Sequence, residues 1–397
     1  MKRLVFVTGS RAEYGLLYPV LKKAFADPSL SCSLLVTGSH LREEYGGTVA
    51  EIEKDGFPIA EKLDILRFGS TRDGITQSVG LGIRLFGAWF SAHPADACIV
   101  LGDRYEIFAA AAAAALQMTP VVHISGGDVT WGAQDDWFRH SVTKMAALHF
   151  PYSEPARARL LRMGEEPRRV FNVGSLGAEN IRRMPLLSQQ ELSDRFGFDF
   201  TRPYCLVTYH PETLSEQPPL QQLDQLLTAL QAFPALGVCL TGANADAGGG
   251  SLNARLQGFV SGRPHTALFP SMGLQGYLSA MRGAAAVVGN SSSGVVETPE
   301  FGVPCVNIGL RQGGRPLCEN ILSCPCEARA ISAALEQALS PSFAASARQV
   351  QSPFYQPDTS GSILRLTKQA MESGLLREPK RFYDGACTAD GDCLSGR

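Results

Sequence analysis

Apolar residues along this chain fall into short unbroken runs separated by segments with helical spacing. RLVFVT at 3–8, SLLVT at 33–37, ACIVL at 97–101, VVHI at 121–124, and residues 148–152 and 170–173 form a first set of runs. Runs without polar alternation predict strands of a parallel sheet covered on both faces. Between them, LLYPVLKKAFAD repeats its apolar positions from Leu16 through Val20 to Ala24, and the alanine-rich stretch 108–116 predicts a packed helix. A second set opens with YCLVTYHPE at residue 204 and continues through the helix PLQQLDQLLTALQAF, the strand GVCLT and the runs 284–288 and 304–308. The polar helical segment LLSQQELSDRFG between the sets has the character of a linker. The expected division is a domain over 1–178, a linker over 179–203, a second domain over 204–362, a helix over 363–383 packed back on the first domain, and a disordered tail over 384–397. Lys380 is expected in a polar, solvated end.

The most informative stretch is VVGNSSSGVVETPEFGVPCVNIGLRQGGRP at 287–316. An apolar run ends at Gly289-Asn290, Ser291, Ser292, Ser293 and Gly294 follow, and VVETPEFG predicts one helix closing at Gly302. A loop between strand and helix leaves N–H groups at the positive end of the helix dipole, where a phosphate accepts them. The serine hydroxyls add donors, and Glu297 can accept from two vicinal hydroxyls such as those of a ribose. Arg311 and Arg315 follow the next strand. Taken by itself NSSSG reads as a helix cap; with the carboxylate and the arginines, it points to a nucleotide site. The first strand-to-helix turn, GSRAEYG, has one glycine where a dinucleotide fingerprint has three, so it is not a nicotinamide loop. Arg11 at its tip is either a solvated surface arginine or a diphosphate contact. Gly102, Asp103 and Arg104, and then SGGDVTWGAQDD, follow the strands 97–101 and 121–124, at the edge where open α/β sheets bind ligands.

Length and composition fit this picture. A chain of 397 residues exceeds one ordinary core and divides naturally into two α/β domains. With 45% hydrophobic and 19% charged residues it has the balance of a globular enzyme, and a net charge of −2 argues against nucleic-acid or anionic-membrane partners. No apolar run approaches a membrane span, and MKRLVFVTGS breaks too early for a signal peptide, so a cytoplasmic protein is expected. Of the ten cysteines, Cys98, Cys205, Cys239 and Cys305 sit inside apolar runs as reduced core residues. Cys318, Cys324 and Cys326 lack CxxC pairing or a histidine at metal spacing, so neither metal nor cofactor is expected.

GNSSSG, the Glu297 segment, FGVP and NIGLRQGGR resemble the C-terminal half of the hydrolysing UDP-N-acetylglucosamine 2-epimerases, enzymes of sialic, legionaminic and related nonulosonic acid biosynthesis. TGSRAEYGLLYPVL at 8–21, LGDRYEIFAAA at 101–111, HISGGDVT with DDWFRHSVTKM at 123–145, VTYHPETLSEQ at 207–217 and TGANADAGG at 241–249 extend the resemblance over nearly all of 2–383. It implies two Rossmann-like α/β domains facing a central cleft, the glycosyltransferase-B architecture. It also implies hydrolytic 2-epimerisation of a UDP-linked N-acetylhexosamine and assembly as a homodimer or homotetramer. The binding residues it implies are Arg11 and Ala12 on the diphosphate, with Arg104, Asn244, Asp246, Ser271, Ser291, Ser292, Ser293, Gly294, Glu297 and Arg311. Asn244 and Asp246 read equally as turn residues. His210 matches the active-site histidine, and Asp103 is the first choice for acid/base work. Here the chain departs from the pattern: Ser125 stands where many members have glutamate, and Trp131 makes TWG of TEG, hinting at an altered sugar pocket. Asp128, Asp135 and Asp136 remain, with Arg139 and His140 beside them; Asp128 and Asp135 complete the candidate catalytic set with Asp103 and His210, although Asp135 and Asp136 serve equally as helix caps. Two other readings stay open: a glycosyltransferase on the same fold, and a non-catalytic UDP-sugar-binding protein.

Overall fold

The computed structural model describes residues 1–69, 71–131, 133–210, 212, 215–242 and 249–385. The strands are β1 (Lys2–Thr8), β2 (Leu30–Thr37), β3 (Ile59–Leu63), β4 (Ala97–Leu101), β5 (Val121–Ile124), β6 (Ala146–Phe150), β7 (Tyr204–Thr208), β8 (Gly237–Thr241), β9 (Thr266–Phe269), β10 (Ala286–Gly289), β11 (Cys305–Ile308) and β12 (Ile321–Cys324). They form two six-stranded sheets in the orders β3-β2-β1-β4-β5-β6 and β12-β11-β10-β7-β8-β9. All neighbours pair in parallel, with Lys2 opposite Leu30 and Thr8 opposite Val36 in the first sheet, and Cys205 opposite Ala286 and Thr208 opposite Gly289 in the second. Numbered within its own half, each sheet has the doubly wound order in which the chain reverses direction between its first and fourth strands, and ligands sit outside the carboxyl ends at that point.

The unbroken apolar runs are explained by helices on both faces. Leu4 and Phe6 of β1 enter one core, while Val5 and Val7 enter the core on the opposite face. Cys205 and Val207 of β7 likewise face away from Tyr204 and Leu206. Cys98, Cys205, Cys239 and Cys305 are buried free thiols among these residues.

The structure departs from the sequence reading at several points. Residues 170–173 do not extend the first sheet: one bridge joins Val170 to His149. VVETPEFG forms two short helices, Ser292–Val296 and Thr298–Phe301, broken at Glu297. Pro299 lacks an N–H and its ring crowds the carbonyl four residues back, which disfavours continuing the helix through this point, and the second short helix starts with Pro299 in its first turn. Lys380 is not solvated; its ammonium pairs with Glu165 at 3.0 Å and donates to the carbonyls of Lys144 at 2.7 Å and Ala146 at 3.0 Å.

The helix Thr359–Glu372 returns to the first sheet's side of the molecule and packs on the helix Arg11–Ala26. Ser360 caps the buried Glu179 through its hydroxyl at 2.8 Å, and Lys368 pairs with Asp27 at 2.6 Å. Among the described residues no helix is long and apolar enough to cross a membrane.

Candidate active site

A cavity of about 270 Å³ lies between the carboxyl edges of the two sheets. Loops and helix starts after β1, β4 and β5 supply Arg11, Ala12, Glu13, Gly102, Asp103, Arg104, Ser125, Asp128 and Asp135; those after β7, β10 and β11 supply His210, Ser291, Ser292, Ser293, Glu297, Arg311 and Arg315.

The first-domain wall is built on Arg139, which is buried in the helix Asp135–Met145. Its guanidinium donates to Asp103 and Thr130, and to Asp136 at 3.0 Å. Burial alone would raise the Asp103 carboxyl, but Arg139, Arg315 and Arg311 together hold it below its ordinary value. His123, behind this wall, meets the carbonyl of Gly102 at 2.8 Å, and burial lowers its pKa to about 3, so it is a neutral support. Ser125 adopts a left-handed conformation with φ 64°, an uncommon geometry for a residue other than glycine at the turn leaving β5.

Asn290 organises the second-domain wall. Its side-chain oxygen accepts from the N–H of His210 at 2.8 Å and its amide donates back to the His210 carbonyl at 2.7 Å. Its own carbonyl accepts from Arg311 at 3.1 Å and Gln312 at 2.7 Å. Glu212 accepts the N–H of Arg311 at 3.0 Å, so the histidine and the arginine are set by one connected network. Ser291 caps the helix Ser292–Val296 and accepts from the N–H of Ser293 at 3.3 Å. Ser293 donates to Glu297. Burial raises the Glu297 carboxyl to about 7, the Ser293 hydrogen bond opposing this only in part.

Ion pairs join the walls. Arg315 meets Asp128 at 2.9 Å with both side chains nearly buried, and Arg311 meets Asp135 at 3.0 Å. Arg315 also donates to the Val129 carbonyl at 2.9 Å. At another point of contact Arg11 donates to the Pro270 carbonyl, and Ser271 donates to Glu51 at 3.0 Å. Gly177 approaches Glu297 so closely that a Cβ there would lie 2.7 Å from its carboxylate.

The structure thus gathers Arg11, Ala12, Asp103, Arg104, Asp128, Asp135, His210, Ser291, Ser292, Ser293, Glu297 and Arg311 around one cavity. It does not bring Ser271 or Gly294 to the lining: Ser271 serves the contact with Glu51, and Gly294 packs beside the Cys305 thiol, 3.1 Å from where its Cβ would stand. Trp131 is not among the residues lining this cavity either; its ring lies against Gly313 and Gly314. Asn244, Asp246 and the last residues of the tail fall outside the described residues. Glu13 and Tyr277 are among the lining residues not singled out from sequence. Glu13 accepts from the N–H of Gly9 at 2.7 Å and burial raises it to about 8, while its spacing from Ser10 reads as a capping box. Tyr277 lies on an amphipathic helix and carries no motif.

The sequence family described as UDP-N-acetylglucosamine 2-epimerase matches residues 22–368. The polysialic acid biosynthesis protein P7 of Escherichia coli is 36% identical over 394 residues, 99% of this chain and 100% of that protein. The GDP/UDP-N,N'-diacetylbacillosamine 2-epimerase (hydrolyzing) of Campylobacter jejuni is 39% identical over 322 residues, 81% of this chain and 84% of that enzyme. Among solved structures, a UDP-GlcNAc 2-epimerase from Neisseria meningitidis bound to UDP-GlcNAc superposes with a TM-score of 0.76 at 16% identity, covering 93% of this chain and 100% of that one, a likeness of fold.

Proposed function

The chain belongs to the UDP-N-acetylglucosamine 2-epimerase family, and from that premise we propose that it is a hydrolysing 2-epimerase, converting a UDP-linked N-acetylhexosamine and water to the free 2-epimer and UDP. The candidate substrates are UDP-N-acetylglucosamine and UDP-N,N'-diacetylbacillosamine, the second supported by the 39% identity to the C. jejuni enzyme. One observation carries the proposal: one cavity gathers five arginines, three aspartates and a histidine beside Ser291, Ser292 and Ser293, drawn from both halves of the chain.

The C2 hydrogen of such a sugar has no adjacent carbonyl, so simple deprotonation is too slow. In the proposed route a base takes the C2 proton, the electrons of that bond form a C1–C2 double bond, and the C1–oxygen bond breaks with its electrons on UDP. Water then adds its oxygen to C1, loses a proton, and C2 receives a proton from the opposite face. Positive charge on the leaving diphosphate and positioned proton carriers are what this route needs. Arg11, Arg311 and the donors of Ser291, Ser292 and Ser293 take the diphosphate in this proposal, and Glu297 takes the ribose hydroxyls. Because Arg311 pairs with Asp135, an arriving diphosphate competes for the guanidinium and frees that carboxylate to face the sugar. Asp103, kept as a carboxylate by Arg139, Arg315 and Arg311, is placed to receive a proton rather than to supply one, and loss of these contacts to an arriving diphosphate strengthens it as a base. His210, on the opposite wall, is its assigned partner, with Asp128 and Asp135 bordering the same carbon. The proposal includes a homodimer or homotetramer working in the cytoplasm, which sedimentation and cell fractionation test. UDP release from the two nucleotide sugars, with no acceptor present, tests the activity; release only on adding an acceptor would contradict it.

A further inference from the structure

Trp131 stands on the first-domain loop after β5, and Gly313 and Gly314 on the second-domain loop after β11. Its indole lies against their backbone: a Cβ on Gly313 would fall 2.5 Å from the ring, and one on Gly314 3.0 Å from it. Gly314 also has φ 79° and would meet Val129 at 2.7 Å, so the glycine pair is wedged between two first-domain side chains. Trp131 is 55% exposed. On either side of the glycines stand Arg311 and Arg315, which pair across the cleft with Asp135 at 3.0 Å and Asp128 at 2.9 Å. The N–H of Gly313 bonds to the Leu310 carbonyl at 2.7 Å and that of Arg315 to the Gln312 carbonyl at 3.3 Å, making this a tight turn. An aromatic ring on such a turn replaces the orientational freedom of two long arginines with one stacking contact.

We propose that Trp131 is a positioning residue for the nucleotide-sugar site: by seating on Gly313 and Gly314 it holds the loop that presents Arg311 and Arg315 to the cavity, and so favours the arrangement in which both domains grip the ligand. The inference rests on the functional reading above but goes beyond it. It gives the residue that replaces the TEG glutamate a mechanical role, where the altered motif first pointed to the sugar pocket. Losing the contact lets the loop sample arrangements that bind weakly, which lowers apparent affinity by the fraction of time spent there. Once substrate saturates the site, turnover is little changed.

The test is UDP titration by calorimetry together with steady-state kinetics on wild type, W131A, W131F, G313A and W131A/G313A. W131A is expected to bind UDP about tenfold more weakly, with KM rising in step and kcat within about twofold. W131F, which keeps a ring for the stack, restores most of the affinity. The diagnostic quantity is the coupling. G313A should weaken UDP binding in the wild-type chain, where its methyl meets the indole. In the W131A chain the same change still meets the Leu310 backbone carbonyl, at 2.9 Å, but no longer the indole, so its further loss should be clearly smaller than in the wild-type chain. UDP binding by W131A at wild-type strength, or additive losses in the double variant, would overturn the inference alone. Failure of the wild-type protein to bind UDP at all would overturn the functional reading, and the inference with it.

Discussion

Arg311 and Asp135 face each other at 3.0 Å across the cleft, so each sets what the other can do. In R311A the diphosphate loses a charge-assisted donor, and UDP binding should weaken by about 1.5–3 kcal/mol, whereas R84A, on the exposed side of the helix Arg72–Ala92, should leave it unchanged. D135N should act oppositely on binding: with its competitor neutral, Arg311 is freer for phosphate. UDP should bind a few-fold more tightly while turnover falls by about 10²–10⁴-fold. Calorimetry and UDP-release kinetics check both, and weaker UDP binding by D135N would contradict the competition. Glu297 yields a pH prediction. Its carboxyl rises from 4.5 to about 7 on folding, so between those values the folded chain holds more protons than the unfolded one. Stability contributed by this group therefore falls as pH rises through that window, and the full cost, about 3 kcal/mol at most, applies above pH 7. E297Q removes it, so the stability of E297Q relative to wild type should grow from pH 5 to 7 and then level off in denaturant titrations. A difference independent of pH would show that burial does not hold the carboxyl up. Single residues were legible where chemistry is local, as for Arg11, Asp103 and the serines. Asn290 was in plain view within GNSSSG, yet its role as the junction of His210 and Arg311 depends on a contact 80 residues away in the chain, which no spacing rule encodes.

At the scale of elements, the central strands of both sheets were readable because burial on two faces writes continuous apolar runs. The edges were not. β3 (IAEKL) has three exposed residues in succession, β9 (TALF) is half-buried throughout, and β12 (ILSC) is only partly covered, so none carries that signature. The break at Glu297 was foreseeable from Pro299 but hidden by the helical look of VVETPEFG; at that break Glu297 lines the cavity. The chain's end misled for the opposite reason: Lys380 sits in a polar stretch, yet that stretch docks in a groove where Glu165 is fully buried between Lys144, Lys380 and His149. K380A should therefore lower folding stability by about 1–3 kcal/mol by leaving buried acceptors unsatisfied, without changing UDP affinity. An unchanged denaturation midpoint would contradict this docking.

For the whole molecule, two sheets of the same doubly wound order place their carboxyl edges opposite one another, so residues more than 150 positions apart, such as Asp128 and Arg315, meet at 2.9 Å. Binary pattern alone gave two α/β domains; that they face each other across one cleft came from the resemblance, because patterning records burial but not the orientation of one domain on another. The meeting of two half-sites is also what the proposed chemistry uses: Arg11 of the first half and Arg311 with the serines of the second are the proposed diphosphate contacts, and the carboxylates of the first half stand opposite His210 of the second. The central claim is that this cavity removes the C2 proton and UDP together and then restores water and a proton. The most direct measurement is NMR of the sugar released from UDP-N-acetylglucosamine and from UDP-N,N'-diacetylbacillosamine in deuterium oxide. The account predicts a free sugar of inverted configuration with deuterium at C2. A released sugar with protium at C2 and its original configuration would contradict elimination and return the chain to glycosyl transfer on the same fold.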